Sequence, residues 1–182
     1  MHYTYSEYLA VEEESPIRHE YLDGEIYAMA GGTPDHAALA AAILSMIRAQ
    51  LPRGCRAFTS DLRVRLPATG LTTYPDGAVV GGGTQRAPED AVAVTNPLVL
   101  IEVTSNSSED YDRGEKLRHY QAIPTAREIL ILSHREPRIS VHRRGEDGWT
   151  SFEAGAGESV TLESIGGVVR VDEVYREGLE DA

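Results

Sequence analysis

The sequence predicts a mixed α/β fold, a mixed central β-sheet flanked by helices, with an N-terminal hairpin and a β-rich C-terminal tail. Three observations predict it. Strand-like segments come in adjacent runs rather than in strict alternation with helices, which points away from a doubly wound sheet. Leu98 to Thr104 is a near-continuous apolar run, as in a strand buried on both faces. Two long helical patterns with clear caps flank that region. The 182 residues suit one domain over 1–182, and a 41% hydrophobic fraction is enough for a core.

Taken in order, Thr4 or Ser6 caps a short helix to about Val11. Ile17 to Leu22 and Glu25 to Met29 flank Asp23-Gly24, a strong two-residue hairpin signal. Thr33 caps a helix with Pro34 at its first position, and Pro52 and Gly54 end it after Leu51. Leu39, Ile43, Leu44, Met46 and Ile47 make that helix apolar on most sides, so it reads as largely buried. Arg56 to Leu66 alternates and reads as one strand, with Arg63 and Arg65 on one face. Tyr74 to Val80 is a second strand entered through Pro75, and Gly81 to Asn96 reads as a long loop. After the Leu98 to Thr104 strand, Ser107 or Ser108 caps a helix that Pro124 stops. Arg127 to Leu132 is a short apolar strand. Arg138 to Arg143 and Trp149 to Glu153 form a hairpin, Val168 to Val171 a last strand, and Asp172 caps a terminal helical turn. The strands from Arg56 to Leu132 are expected in one sheet, with the Thr33–Leu51 and Ser108–Ile123 helices against it.

Charge and composition narrow the function classes. A formal net charge of −12 argues against non-specific adhesion to nucleic acid or anionic membrane, while leaving room for a local basic groove. No apolar run is long enough to span a bilayer. The single cysteine, Cys55, rules out a disulfide framework and a cysteine-based zinc site, and fits a reducing, cytoplasmic setting. There is no Gly-x-Ser-x-Gly elbow, and Gly81-Gly82-Gly83 lacks the Gly-Lys-Ser/Thr of a phosphate loop. Of the 17 basic residues only Lys116 is a lysine, which draws attention to that position.

Glu102 interrupts Leu98-Val99-Leu100-Ile101 and is followed by Val103. An ionised carboxylate in such a strand costs several kcal/mol unless it is paired or metal-bound; alternatively it sits at the strand end and reaches water or an arginine. Asp76, after Pro75, is either a turn aspartate capping its own backbone or a second carboxylate at the sheet edge. If the two strands are neighbours, the pair suits Mg²⁺, which keeps several waters and takes few protein ligands. Asp112, Lys116 and Tyr120 recur at i, i+4 and i+8 on one helix face. They form either an exposed ion-paired face or a route by which the ammonium reaches the carboxylates. Glu20 alone is an ordinary strand glutamate, and His36 an ordinary helix-start histidine.

Together these residues resemble the PD-(D/E)XK nuclease superfamily, and within it the Uma-type bacterial family of restriction-endonuclease-like proteins. The similar segments are His19-Glu20-Tyr21-Leu22-Asp23-Gly24-Glu25, His36, Tyr74-Pro75-Asp76 and Leu100-Ile101-Glu102-Val103-Thr104-Ser105. Asp112, Lys116, Tyr120, Arg127 to Ile131, and the tail from Ile165-Gly166-Gly167 to Val174-Tyr175 follow in order. The resemblance implies a restriction-endonuclease-like core, metal ligands at Asp76 and Glu102, and a supporting acid at Glu20. The superfamily's lysine would fall at position 104, where this chain has Thr104, so Lys116 becomes the substitute. Ser133 stands where the family usually has an aspartate.

The resulting expectation is a Mg²⁺-dependent (or Mn²⁺-dependent) nuclease acting on DNA through Glu20, Asp76, Glu102 and Lys116. Arg63, Arg65, Tyr120 and His36 are its substrate-side candidates, and Arg53 and Arg56 extend the arginine patch. The family and exposed apolar residues in the C-terminal hairpin suggest a homodimer. The competing expectation is a catalytically degenerate module of the same fold serving protein or nucleic-acid interaction. A metal-dependent hydrolase of another phosphorylated substrate is a third.

Overall fold

The computed structural model describes residues 2–179. The chain opens with helix α1 (Tyr5–Glu14), strands β1 (His19–Leu22) and β2 (Glu25–Ala28), and helix α2 (Pro34–Arg48). Strands β3 (Cys55–Thr59), β4 (Val64–Leu66), β5 (Leu71–Thr73), β6 (Gly77–Gly81), β7 (Arg86–Ala87), β8 (Asp90–Val94) and β9 (Pro97–Val103) follow. A short helix α3 (Glu109–Tyr111) runs through a π-helical stretch, Asp112–Lys116, into α4 (Leu117–Gln121). The remainder is β10 (Glu128–Leu132), β11 (Arg138–Gly145), β12 (Gly148–Gly155), β13 (Ser159–Leu162), β14 (Gly167–Arg170) and helix α5 (Val171–Gly178).

Local chemistry accounts for the early elements. Thr4 and Glu7 form a reciprocal capping box, satisfying two of the unpaired donors at the start of α1. Asp23 and Gly24 both have positive φ, which the tight β1–β2 turn requires and which aspartate and glycine tolerate. Thr33 accepts from the His36 amide, and Pro34 occupies the first turn of α2, where its missing N–H costs nothing.

Two six-stranded sheets form, ordered β12-β11-β10-β9-β6-β3 and β2-β1-β5-β4-β8-β7, together with the β13–β14 pair. The first contains β9 and β10 in parallel and β6 antiparallel to β9. The expected single Arg56–Leu66 strand is therefore corrected: β3 belongs to the first sheet and β4 to the second. The chain turns between them at Ser60-Asp61, where the Leu62 amide bonds the Thr59 carbonyl. Likewise the expected Tyr74–Val80 strand is interrupted. β5 lies in the second sheet and β6 in the first, and Tyr74-Pro75-Asp76 crosses between them. Proline cannot donate to a ladder, so the crossing falls where it costs least. Gly81 to Asn96 is not a plain loop, because β7 and β8 add to the second sheet. Strands this short carry no readable period.

β9 is buried on both faces, which explains its unbroken apolar run. Val99, Ile101 and Val103 join the core with Leu39, Ile43 and Ile47 of α2, β13, β14 and α5. Leu100 faces the other way, with Ile129, Ile131 and Tyr120. Glu102 follows Leu100 by two residues and so shares that second face. Gly77 permits α2 to approach, since a Cβ there would stand 3.2 Å from both Ile101 and Leu44. In the C-terminal hairpin Ile139, Val141 and Ala154 are buried, and Phe152 is the one large hydrophobic exposed there among the described residues. That removes the apolar surface on which a homodimer was expected. Asp172 is also corrected: it lies in the first turn of α5 and accepts from the Gly157 amide rather than capping the helix.

One buried carboxylate went unread in the sequence. Glu128 is 1% exposed and accepts from Arg143 Nε at 3.1 Å, the Glu163 amide at 2.9 Å, the Ser164 amide at 3.2 Å and the Ser164 hydroxyl. It ties β10 to the segment after β13. Glu128→Ala is expected to lower stability by roughly 3 kcal/mol, because two amides and a guanidinium lose their acceptor. A urea midpoint that moves by less than a third of that, at constant slope, would refute this role.

Candidate active site

Three strands and the interrupted helix bring the predicted polar residues together. Glu20 sits on β1, Asp76 at the mouth of β6, Glu102 near the end of β9 and Lys116 at the end of the π-helical stretch. Gly77 pairs with Ile101, so the antiparallel register carries Asp76 towards Glu102. The backbone supplies a direct tie, the Val103 amide donating to Asp76 Oδ2 at 2.8 Å. This settles the local ambiguity at Asp76, whose carboxylate bonds the neighbouring strand rather than its own turn.

Lys116 is the hub. Its Nζ lies 3.0 Å from Glu102 Oε1, 3.1 Å from Glu20 Oε1 and 3.8 Å from Asp112 Oδ1, and the residue is only 5% exposed. The alternative of a solvated helix face is thereby excluded. Tyr120 donates its hydroxyl to Glu102 Oε1, and Thr73 donates to Glu20 Oε1. Asp112 and Lys116 bound the π-helical stretch, a rare geometry that concentrates at functional sites. Gly114 lies in its middle, where the helix gives up some α propensity.

The electrostatics follow from crowding. Burial pushes the Glu102 carboxyl well above its usual range, with Lys116 opposing and Asp76 and Asp112 adding to the rise. Asp112 is raised for the same reason, burial first, and again Lys116 opposes. Lys116 itself is held well above its usual value: burial opposes the charge, but Glu102, Tyr120, Glu20 and Asp112 outweigh it. Three carboxyl groups thus share one ammonium, with Asp76 adding to the repulsion on Glu102 and Asp112, a set that calls for a retained proton or an added cation.

His36 lies beside Asp76, with Nε2 at 3.3 Å from Oδ2, and its value is raised mainly by that contact. Tyr120 reaches the cluster through Glu102. Arg63 and Arg65 do not join it. Arg63 bonds Tyr74 at 2.7 Å and Asp90 at 2.9 Å and lies 3.3 Å from Glu12; Arg65 bonds the Gly70 carbonyl at 2.7 Å and stacks over Tyr5. Both side chains are nearly buried, so the expected solvent-facing arginine pair is corrected to two internal clamps. Sequence reasoning missed Glu12, the partner of Arg63, whose carboxylate also bonds His19 and Tyr74, close in the chain to Glu20 and Asp76. In the sequence it reads as one of three consecutive surface glutamates, and only the tertiary pairing singles it out. Thr104, standing where the superfamily has lysine, is fully buried and bonds His134 Nδ1 at 2.8 Å. Ser133 is spent on a turn, its hydroxyl accepting from the Arg135 amide.

Among the described residues no three His, Cys, Asp or Glu side chains form a ligating group. Protein partners occupy Asp76 Oδ2 and Glu102 Oε1, while Asp76 Oδ1 and Glu102 Oε2 make no protein hydrogen bond among the described residues. Two carboxylates with one open oxygen each fit a hard cation that retains most of its waters.

The comparisons with known proteins agree with this architecture. The model of the Uma2 family, described as "Putative restriction endonuclease", matches residues 5–171. The chain belongs to the Uma2 family. The uncharacterized protein slr1290 of Synechocystis sp. is 34% identical over 172 residues, covering 93% of this chain and 90% of that one. A second uncharacterized Synechocystis protein, sll1609, is 28% identical over 162 residues, 88% and 91% of the two chains. The crystal structure of "a putative nuclease belonging to DUF820" from Anabaena variabilis superposes with a TM-score of 0.73 at 19% identity, covering 91% of this chain and 94% of that one. At that identity the match establishes the fold. The Uma2 match runs from α1 to the first residue of α5 and so includes Glu20, Asp76, Glu102 and Lys116. No described helix is long and apolar enough to cross a membrane.

Proposed function

We propose that the chain is a divalent-metal-dependent nuclease that hydrolyses phosphodiester bonds, with DNA as the favoured nucleic acid and Mg²⁺ or Mn²⁺ as the cation. The observation that carries this reading is the burial of the only lysine, 3.0 Å from Glu102 and 3.1 Å from Glu20, with Asp76 bonded to the strand that carries Glu102. Membership of a family described as "Putative restriction endonuclease" supports it.

Asp76 and Glu102 are the residues that would hold the cation. When bound, such a cation supplies a water of lowered pKa and offsets phosphate charge. Glu20 fixes the Lys116 ammonium from one side and Glu102 from the other, so the charge is positioned before substrate arrives. A compact ammonium with three donors can orient a water or meet a developing negative oxygen. Tyr120 and Thr73 hold the two glutamates by their Oε1 atoms, which limits rotation of both carboxylates.

A degenerate, non-enzymatic module is favoured by one observation: Arg63 and Arg65 are tied up inside the protein, leaving little to meet phosphates. A plasmid-nicking assay separates the two. Nicking is expected with Mg²⁺ or Mn²⁺, abolished by EDTA and restored by excess cation. At net charge −12, DNA binding is expected to require the cation and to weaken steeply with salt. Metal binding with no cleavage of any nucleic acid would favour the module; tight, cation-independent, salt-insensitive binding would contradict both the charge argument and the site.

A further inference from the structure

A cleft of about 540 Å³ opens beside Asp76, with Asp76 and His36 among the residues that line it. One wall is a face of α2, with Ala37 and Ala41 exposed to the cleft and Leu44 behind them. An exposed helix face in water is ordinarily charged or polar; here it is alanine. Met29 and Ile17 also line the cleft, the latter 51% exposed and one of few large apolar side chains left open among the described residues. Positive charge is scarce. Arg18 is the one lysine or arginine in the lining, and its guanidinium already bonds the Ser60 carbonyl at 2.9 Å and the Asp61 carboxylate.

This combination does not suit the grip of a duplex and leaves room for one unpaired nucleotide. A duplex is held mainly through many phosphate contacts to lysine and arginine, which this cleft and a chain of net charge −12 do not offer. A space of this volume is that of a small-molecule pocket, far short of a base pair with its two backbones. Apolar walls suit the face of a single base taken out of its stack. Continuity with Asp76 then places the attached phosphate at the carboxylates.

We propose that the cleft receives one unpaired nucleotide of the substrate strand, base against the Ala37–Ala41 face of α2, so that single-stranded or locally unpaired DNA is preferred over intact duplex. The inference rests on the nuclease reading for the placement of the phosphate, while the cleft's occupant can be tested without cleavage.

The test measures binding of a short labelled single strand and of the same sequence as a duplex, by fluorescence anisotropy, with Ca²⁺ replacing Mg²⁺. Wild type is expected to bind the single strand about tenfold tighter, the effect of taking roughly 50–60 Å² of apolar surface out of water. Ala41→Trp fills the cleft from an exposed position and is expected to lose about that tenfold for the single strand. Val92→Trp, an equally large change on exposed β8, is the control for surface effects. Thermal melting checks that both variants fold. Equal or tighter duplex binding, unchanged single-strand affinity in Ala41→Trp, or no binding of either form overturns the proposal. A parallel cleavage assay keeps the two readings apart. Single-strand binding lost in Ala41→Trp, with no wild-type cleavage of any substrate, would sink the nuclease reading and leave the cleft's occupant standing. Duplex cleavage equal to single-strand cleavage, with both undiminished in Ala41→Trp, would do the reverse.

Discussion

Asp76→Asn is expected to abolish divalent-metal binding while leaving the fold intact. The asparagine oxygen can still accept from the Val103 amide, so the crossing between the sheets is kept. What disappears is a negative charge that a hard cation needs. Loss of a direct ligand should exceed the 10–100-fold typical of its supporting partners, so affinity should fall by more than about 100-fold. Nicking should fall by roughly a thousandfold with it. The substitution carries a second signature. Asp76 is one of the charges that push the Glu102 and Asp112 carboxyls up, so its neutralisation relieves repulsion inside the cluster. In EDTA the variant should melt no lower than wild type. Calorimetric metal titration and melting curves check both halves. Undiminished nicking in Asp76→Asn and in Glu102→Gln would remove these residues from the site; loss of metal binding accompanied by unfolding would reduce Asp76 to a structural residue.

Lys116→Ala is expected to be the most damaging single change. Glu102 and Asp112 would remain buried, at 4% exposure each, without their counter-charge. Removing one partner of a buried ion pair costs about 3–5 kcal/mol. The loss has a definite pH dependence. Both carboxyls already titrate above their usual range, chiefly through burial, and loss of the ammonium raises them further. A carboxyl whose folded value exceeds its unfolded value keeps its stability below the unfolded value and loses it as pH rises through the folded one. The stability gap between Lys116→Ala and wild type should therefore be wider at pH 8 than at pH 5, read from urea midpoints at the two values. A gap that narrows towards pH 8 would contradict the ion-pair account. Lys116→Arg separates charge from shape. It preserves the cation but offers a planar fork in place of a compact ammonium wedged between Glu20 and Glu102. Metal binding should survive, stability should fall less than in the alanine variant, and hydrolysis should drop by about a hundredfold or more. An arginine variant as active as wild type would show that position 116 needs only a positive charge.

Much of this was legible in the chain because it was local. The Thr33-Pro34 start of α2, the Asp23-Gly24 turn and the apolar strand β9 each depend on residues a few positions apart, where caps, φ preferences and hydrophobic period act directly. Glu102 announced itself by contrast with its neighbours, and Lys116 by being the only lysine. The order of weak motifs was enough to indicate the family that the comparisons establish. Tertiary structure alone decided the rest. It split the two expected strands at Ser60-Asp61 and at Pro75, because a second sheet was there to receive β4 and β5. It turned Arg63 from a solvent-facing residue into the partner of Glu12 and Asp90, and Arg65 into a clamp on the Gly70 carbonyl. Glu12 and Arg63 stand 51 positions apart, and Glu20 and Thr73 stand 53 apart. No period or cap spans such separations. Which carboxylates share one ammonium is a property of how β1, β9 and the π-helical stretch pack, and only the folded chain brings those segments together.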